Sequence, residues 1–513
     1  MSILKSVFTV SFYISLSRVF GFIRDLLIAR FIGVSILSDA FFAAFRLPNF
    51  FRRVFAEGAF NSAFVPIFIA KIQDKKSEND EKEFARNTFS ILLYALLIFT
   101  LIFQIFMPFF MKILFPGFFE SPEKSTLLVS LARITIFYLI FISLVSLLSG
   151  ILNSLSKFAV PASAPIILNG TLIASIFVFS SFTPNYAYAL SWGVFTAGIL
   201  QFLYLFYFTY RAGFLLFPTL PKFDADVKKF FRKLLPGIIG ANVMQINLLV
   251  DSIFASLIAG AVSYIYYADR INQLPLAMIG IAIGIALLPS LSRKIKNNEF
   301  DEANKLQNLA LEVGLILVIP AALALNILAL PIISTLFERG AFGENESAAV
   351  SRALGFYALG LPSYALVKVM EPSFFARGDT KTPMKIAMIC LVANIIFNLT
   401  FFKLNFGFIG VVLSSVLSTY LNLTIAFSAL IISKKFAFEK GFFVKFIRIV
   451  IPAIIMAISL IYLRNYFAAS ESFHKIVELI IIISCGLAIY TASSFLSGSF
   501  KIMLKSGFLA KKR

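Results

Sequence analysis

The sequence predicts an all-α polytopic membrane protein, and three observations carry that prediction: the ratio of apolar to charged residues, the length of the apolar runs, and the alternation of charge between the connections. Of 513 residues, 59% are hydrophobic and 14% charged, with a mean hydropathy of +0.90. A soluble domain carries about 25% charge, and a soluble chain of this length would divide into several cores joined by polar linkers. Here the apolar residues come in blocks of about 20 or more, the length that crosses a hydrocarbon layer about 30 Å thick. Lipid offers the backbone no hydrogen-bonding partner, so these blocks are expected as helices and not as open strands.

About fourteen spans follow, at 3–30, 38–70, 86–115, 126–152, 158–181, 185–210, 230–258, 263–291, 304–336, 347–375, 383–402, 408–433, 442–463 and 474–498. The first is read as a spanning helix and not as a cleavable signal peptide. Its apolar stretch after Lys5 runs too long, holds Arg18 and Arg24, and lacks a small-residue cleavage site. The connections test the assignment independently. Those at Lys71–Arg86, Arg211–Lys233, Arg293–Lys305, Arg377–Lys385, Lys434–Arg448 and Lys501–Arg513 are dense in Lys and Arg, while the alternating set is nearly bare. This positive-inside pattern puts both termini in the cytoplasm. The net charge of +20 is explained by that pattern and by attraction to anionic lipid headgroups, so no nucleic-acid partner is expected.

Three motif pairs recur in order. Asp25-Leu-Leu-Ile-Ala-Arg-Phe-Ile-Gly33 resembles Asp251-Ser-Ile-Phe-Ala-Ser-Leu-Ile-Ala-Gly260. Arg46 with Pro66 is echoed by Arg270 with Pro289, and Arg133 with Phe137-Tyr138 by Arg352 with Phe356-Tyr357. The offset of about 220 residues spans six helices, an even number, so the halves share one orientation, as in transporters built from parallel repeats. The expected organisation is an N-terminal lobe of six helices at 1–210, a cytoplasmic linker at 211–229 and a second six-helix lobe at 230–433. Two further helices and a basic tail occupy 434–513.

Several function classes are excluded. The only histidine, His474, makes a histidine-based zinc site or general base improbable, and no GxxxxGK[ST] loop is present. Cys390 and Cys485 lie far apart inside apolar blocks and read as small packing residues. No haem, nucleotide or flavin site is indicated.

Charges inside the spans are the functional signal. The first span carries Arg18, Arg24 and Asp25, the second Asp39, Arg46, Arg52, Arg53 and Glu57, the seventh Asp251, and the eighth Asp269 and Arg270. A lone charge at the bilayer centre costs at least about 2.5–3.5 kcal/mol, so such residues face protein or water and mark pathways. Arg18 and Asp25 are seven apart, on one helical face. Asn49, Arg53 and Glu57 follow at spacings of four, with Arg52 beside them. One reading makes these interhelical ion pairs, with Asp25, Asp39 and Glu57 each holding an arginine. The other starts from the five arginines set against three acids in the first two spans and makes them a cavity for a phosphate-like anion. The planar fork of arginine suits phosphate oxygens.

The stretches Ser17-Arg-Val-Phe-Gly-Phe-Ile-Arg-Asp25, Phe45-Arg-Leu-Pro-Asn49 and Arg52-Arg-Val-Phe-Ala-Glu-Gly-Ala-Phe60 strongly resemble the MurJ (MviN) family. Gly378-Asp-Thr-Lys-Thr-Pro383 matches a further signature of it, although alone that stretch reads as a loop and helix cap. The resemblance covers the whole chain. It implies a flippase of the MOP superfamily, in the bacterial inner membrane, moving lipid II (the undecaprenyl-pyrophosphate-linked peptidoglycan precursor) from the cytoplasmic to the periplasmic leaflet for cell-wall synthesis and cell shape. It places Arg18, Arg24, Arg52 and Arg270 in a central substrate cavity, with Asp25, Asp39, Asn49 and Glu57 at nearby polar positions, and gives the last two helices a groove for the polyprenyl tail. Cell-wall synthesis enzymes are the expected protein partners. No resident cofactor is expected, and the energy source stands open between sodium, protons and the membrane potential.

A monovalent cation site is conceivable at Asp251, Asn394, Asn398 and Ser414, whose oxygens are suitable ligands. Some relatives carry a carboxylate where this chain has Asn398, and the alternative is hydrogen bonding between packed helices. Rival functions also stand. A flippase for another polyprenyl-linked glycan would need the same cavity, whereas export of cationic drugs is opposed by the arginines. An integral-membrane enzyme acting on lipid-linked sugars should offer a catalytic carboxylate in a sizeable outer loop. The short outer loops here present Glu120, Glu123, Glu344, Glu346 and Glu471 without a convincing pair.

Overall fold

The computed structural model describes residues 3–56, 59–73, 80–241, 243–469 and 474–505. Its helices in chain order are α1 (Ile3–Ile32), α2 (Ile36–Ala56), α3 (Ala59–Gln73), α4 (Asp80–Leu114), α5 (Pro122–Thr135), α6 (Tyr138–Ser154), α7 (Ala159–Val178), α8 (Tyr186–Arg211), α9 (Ala225–Ala241) and α10 (Val243–Ser256). They continue as α11 (Ala261–Leu276), α12 (Ala282–Lys296), α13 (Phe300–Ile327), α14 (Ala329–Phe337), α15 (Glu344–Phe375), α16 (Lys381–Lys403), α17 (Phe408–Ile432), α18 (Phe442–Ala469), α19 (Lys475–Ser497) and α20 (Ser499–Lys505). The all-α expectation holds: the only extended pairing among the described residues is a single bridge, Arg339 to Phe342.

Eleven described helices are long and apolar enough to cross a membrane. The other three expected spans, 3–30, 38–70 and 230–258, are helical where described, and the last two run through residues 57–58 and 242, which lie outside the described set. The total of fourteen therefore still rests on the sequence. Several spans are broken helices. The block expected at 126–152 is α5 and α6, the block at 263–291 is α11 and α12 joined by a π-helical turn at Ala277–Ile281, and the block at 304–336 is α13 and α14.

By packing, the chain forms two compact units, Met1–Ser263 with Arg339–Phe342, and Tyr264–Glu338 with Gly343–Arg513. The sequence repeat divides near 230, so the packing places α9 and α10 with the helices that precede them. Aromatic contact explains this. Phe230 of α9 sits edge-on to Phe60 of α3 at 5.3 Å, Phe60 stacks on Phe64, and Phe64 stacks on Phe84 of α4. Lys71 pairs with Asp226 at 2.8 Å beside them. The expected linker is pinned as well: Thr219 N–H donates to Ser90 Oγ and Lys222 N–H to Asn87 Oδ1. In the same unit the loop Arg339–Phe342 docks on the end of α1, where Ala341 N–H donates to Arg30 O at 2.8 Å. Gly33 and Gly340 both have positive φ, and a Cβ on either would strike the opposing carbonyl.

In the second unit α13 and α15 form the spine, with α12, α17 and α18 packed on them. Pro320 removes the N–H that would bond the Ile316 carbonyl four residues back. Tyr490 of α19 donates its hydroxyl to that carbonyl at 2.6 Å, which satisfies a group that lipid cannot. The last two large helices, α18 and α19, pack on each other through Ala453, Met456, Leu460 and Ile482.

Candidate functional site

In the first unit the charges gather on α1 and α2. Asp25 is fully buried and Arg24 nearly so. Arg24 Nε and Nη2 both donate to Asp25 Oδ1, at 2.9 and 2.6 Å, and Arg24 Nη1 donates to Asn169 Oδ1 at 2.8 Å. Asn169 Nδ2 in turn donates to the Ser17 carbonyl at 3.0 Å, tying α7 to α1. The buried guanidinium is thus held from both sides, the condition under which a buried ion pair is tolerated. Asn169 was not singled out from the sequence. Its signal was a lone amide in an otherwise apolar helix.

Asp39, Arg46 and Arg53 are spaced by seven on α2 and share one face. Asp39 accepts from Gly260 N–H at 2.9 Å, Ser263 N–H at 2.8 Å and Ser263 Oγ at 2.6 Å. The carboxylate therefore serves the first turn of α11, whose N–H groups have no partner within their own helix. Among the described residues Asp39 forms no ion pair with an arginine, unlike the reading in which Asp25, Asp39 and Glu57 each hold one. Arg46 Nη2 donates to the Leu248 carbonyl at 2.8 Å, and Arg53 Nη1 to Gln245 Oε1 at 3.3 Å. Among the described residues α2 and α10 share little direct backbone contact, so these long side chains bridge the gap. Arg52 Nε donates to Asn49 Oδ1 at 2.9 Å, one turn back on the same helix.

Pro48 fixes the geometry of this face. It removes the N–H that would bond the Ala44 carbonyl, and Thr135 of α5 fills the vacancy with its hydroxyl at 3.0 Å. Arg18 is exposed on α1, away from the buried environment of Asp25. Glu57 lies outside the described residues. Arg270 is half-buried on α11 in the second unit, one residue after Asp269, whose Oδ2 accepts from Gln273 Nε2.

The candidate cation ligands are divided between the units, with Asp251 buried in the first and Asn394, Asn398 and Ser414 buried in the second. Asn398 Nδ2 donates to both Asn394 O and Asn394 Oδ1 at 3.0 Å, and Ser414 Oγ donates to the Gly410 carbonyl at 2.8 Å. These are the bonds of helix packing, and no cluster of three or more His, Cys, Asp or Glu side chains exists among the described residues. The donor set in the second unit is two amides and a hydroxyl, a weak fit to a cation because it contains no carboxylate.

The fold and the arginine-rich faces of α1 and α2 define a class: a multi-pass helical transporter with charged groups buried in its first unit. The same architecture is seen in a solved multidrug resistance MATE transporter of the MOP superfamily, with a TM-score of 0.62 at 17% identity over 80% of this chain and 97% of that one. A solved lipid II flippase MurJ in an inward closed conformation aligns with a TM-score of 0.81 at 28% identity, covering 95% of this chain and 98% of that one. The profile described as lipid II flippase MurJ matches residues 28–482. A probable lipid II flippase MurJ of Rhizobium tropici is 35% identical over all of this chain and 98% of its own, and one of Rickettsia prowazekii is 36% identical over 91% of each. The chain belongs to the lipid II flippase MurJ family. It is accordingly a transporter and not an enzyme.

Proposed function

We propose that this chain flips lipid II from the cytoplasmic to the periplasmic leaflet by alternating access, for peptidoglycan synthesis. The observation that carries the reading is the likeness to the lipid II flippase MurJ family along the whole chain, together with the three arginines Arg46, Arg52 and Arg53 on one helix, α2. A diphosphate brings about two negative charges and planar oxygen sets that arginine forks match. Arg18 and Arg270 join this substrate path on the strength of the family motif, as do Asp25, Asn49 and Glu57. In this reading the lobes at 1–210 and 230–433 are the moving parts, and the helices of 434–513 receive the polyprenyl tail.

The same proposal places the chain in the bacterial inner membrane with both termini cytoplasmic, supported by the Lys and Arg bias of one set of connections. Outward movement of an anion is favoured by an inside-negative potential, at about 2.3 kcal/mol per charge per 100 mV. The potential is the proposed driving force, with sodium or proton coupling as the alternatives.

The test is accessibility of lipid II to a probe at the outer face of cells, before and after rapid inactivation of the protein. Arg24→Ala and Arg270→Ala serve as replacements at matched membrane levels. Surface lipid II should collapse on inactivation and return only with the wild type. If it stays accessible while wall polymerisation stops, the chain does not flip lipid II and the rival readings return.

A further inference from the structure

The second unit holds a cavity of about 280 Å³ lined by Arg352, Arg464, Asn326, Ser351, Phe356 and Leu330. Its construction starts with Pro331, which lacks an N–H and so frees the Ile327 carbonyl at the break between α13 and α14. Arg464 of α18 reaches that carbonyl with Nη1 at 3.1 Å, and its Nε and Nη2 turn to Asn465 Oδ1 at 3.4 and 3.2 Å. A guanidinium has five N–H donors, so these three bonds leave two of them unused. Arg352 of α15 lies over the Phe408 ring at 5.8 Å. Neither guanidinium forms an ion pair among the described residues. Asn326 Nδ2 is held by the Gly355 carbonyl at 2.9 Å, and the first residues of α14, Ala329 and Leu330, add the positive end of a helix.

Depth identifies the ligand. A helix rises about 1.5 Å per residue, so α15 with its 32 residues outruns a hydrocarbon layer of about 30 Å at both ends. Arg352 is eight residues from the start of α15, about 12 Å along it; with α15 centred on the layer it starts about 3 Å inside the boundary, within reach of the lipid phosphates for an extended guanidinium. The cavity is at the end of the helices joined by the bare connections. In the positive-inside reading used above, that end faces the outer leaflet. We propose that this cavity binds the phosphate of an outer-leaflet phospholipid through Arg352 and Arg464, with its acyl chains against Phe356 and Leu330. Two guanidinium forks recognise a phosphate, the amide of Asn326 borders it, and Leu330 presents an exposed apolar wall.

The full chain in detergent micelles would be titrated with phosphatidylglycerol and its bound lipids counted by native mass spectrometry. Diacylglycerol and inorganic phosphate form the comparison arms. Arg352→Gln/Arg464→Gln should weaken one phosphatidylglycerol site at least tenfold and leave diacylglycerol uptake unchanged. Arg352→Gln alone disturbs only a ring contact, should melt as the wild type does, and should still lose that site. Location is read with Leu330→Trp in a Trp192→Phe background, since Trp192 is the only tryptophan. Acyl-brominated phosphatidylglycerol should quench it, and Arg352→Gln should abolish the quenching. Equal phosphatidylglycerol binding in the folded variants overturns the proposal. So does displacement of the lipid by millimolar inorganic phosphate, which would make this a free-phosphate site. Neither result bears on lipid II flipping, which the surface-accessibility assay decides separately.

Discussion

The two packing units bury different chemistry in comparable helices. The first places a full ion pair, Arg24 with Asp25, in its interior and braces it with Asn169. The second buries Glu312, which the half-buried Lys445 meets at 2.7 Å, and also Asn394, Asn398, Ser414 and Ser418, bonded to one another's helices or to their own. Its cations Arg352 and Arg464 stand instead near one end of their helices. Buried charge costs far more than a buried amide and persists only where a partner or a function holds it. The difference lies in how each unit holds its buried charge: within the interior in the first, and by a partner reaching in from a more exposed position in the second.

The contrast is broken most severely at Asp25. Asp25→Ala takes the carboxylate away from the buried Arg24, and removing one member of a buried pair costs about 3–5 kcal/mol. The variant should show the largest fall in melting temperature in micelles and should fail to restore surface lipid II. If it melts like the wild type, the pair is no structural keystone. Next comes Asn398→Asp, which puts a carboxylate beside the buried Asn394. An uncompensated buried carboxylate costs several kcal/mol, and a bound ion returns stability by mass action. The wild type should melt alike in sodium and potassium chloride, while Asn398→Asp should melt lower in potassium and recover in sodium. A sodium-specific rise in the wild type would instead make Asn394, Asn398 and Ser414 an ion site.

A smaller effect tests what the units share. Tyr490→Phe should cost about 1–2 kcal/mol by orphaning the Ile316 carbonyl. In a Pro320→Ala background, where the restored N–H takes that carbonyl, the cost should vanish in a double-mutant cycle of melting temperatures. Thr135→Val with Pro48→Ala should behave the same way in the first unit. A persistent cost in either proline-free background would show that the hydroxyls act by other contacts.

The smallest effect is at Asp379, outside the spans. The Thr382 backbone N–H donates to its carboxylate at 3.0 Å and holds the pKa below the ordinary 3.8. A lowered folded value means its contribution is present above pH 3.8 and lost as pH falls through the folded value. Because the group is partly exposed and screened by solvent, the shift should amount to about a degree or less. Asp379→Asn should remove the acid limb of the melting curve at that scale. A larger acid-side loss that survives the substitution points to another carboxylate. The stretch Gly378-Asp-Thr-Lys-Thr-Pro383 is, as its residues suggested, a loop leading into a helix start.

The sequence by itself determined the membrane class, the helical content, the place of most spans and the family, because hydropathy over about twenty residues and a long motif are local properties. It also located the charges. Tertiary structure alone decided their partners. The carboxylate of Asp39 reads as a mate for arginine until folding brings the start of α11, more than two hundred residues away, to within hydrogen-bond distance. Asn169, Tyr490 and Arg464 are polar residues inside predominantly apolar helices. Their roles exist only because a neighbouring helix carries a buried cation or a proline-freed carbonyl at the same depth. The division of α9 and α10 from the repeat half they begin was likewise invisible, since it depends on Phe230 meeting Phe60 and Phe64 in space. Periodicity reports which face of a helix is apolar, and distance in three dimensions determines what that face meets.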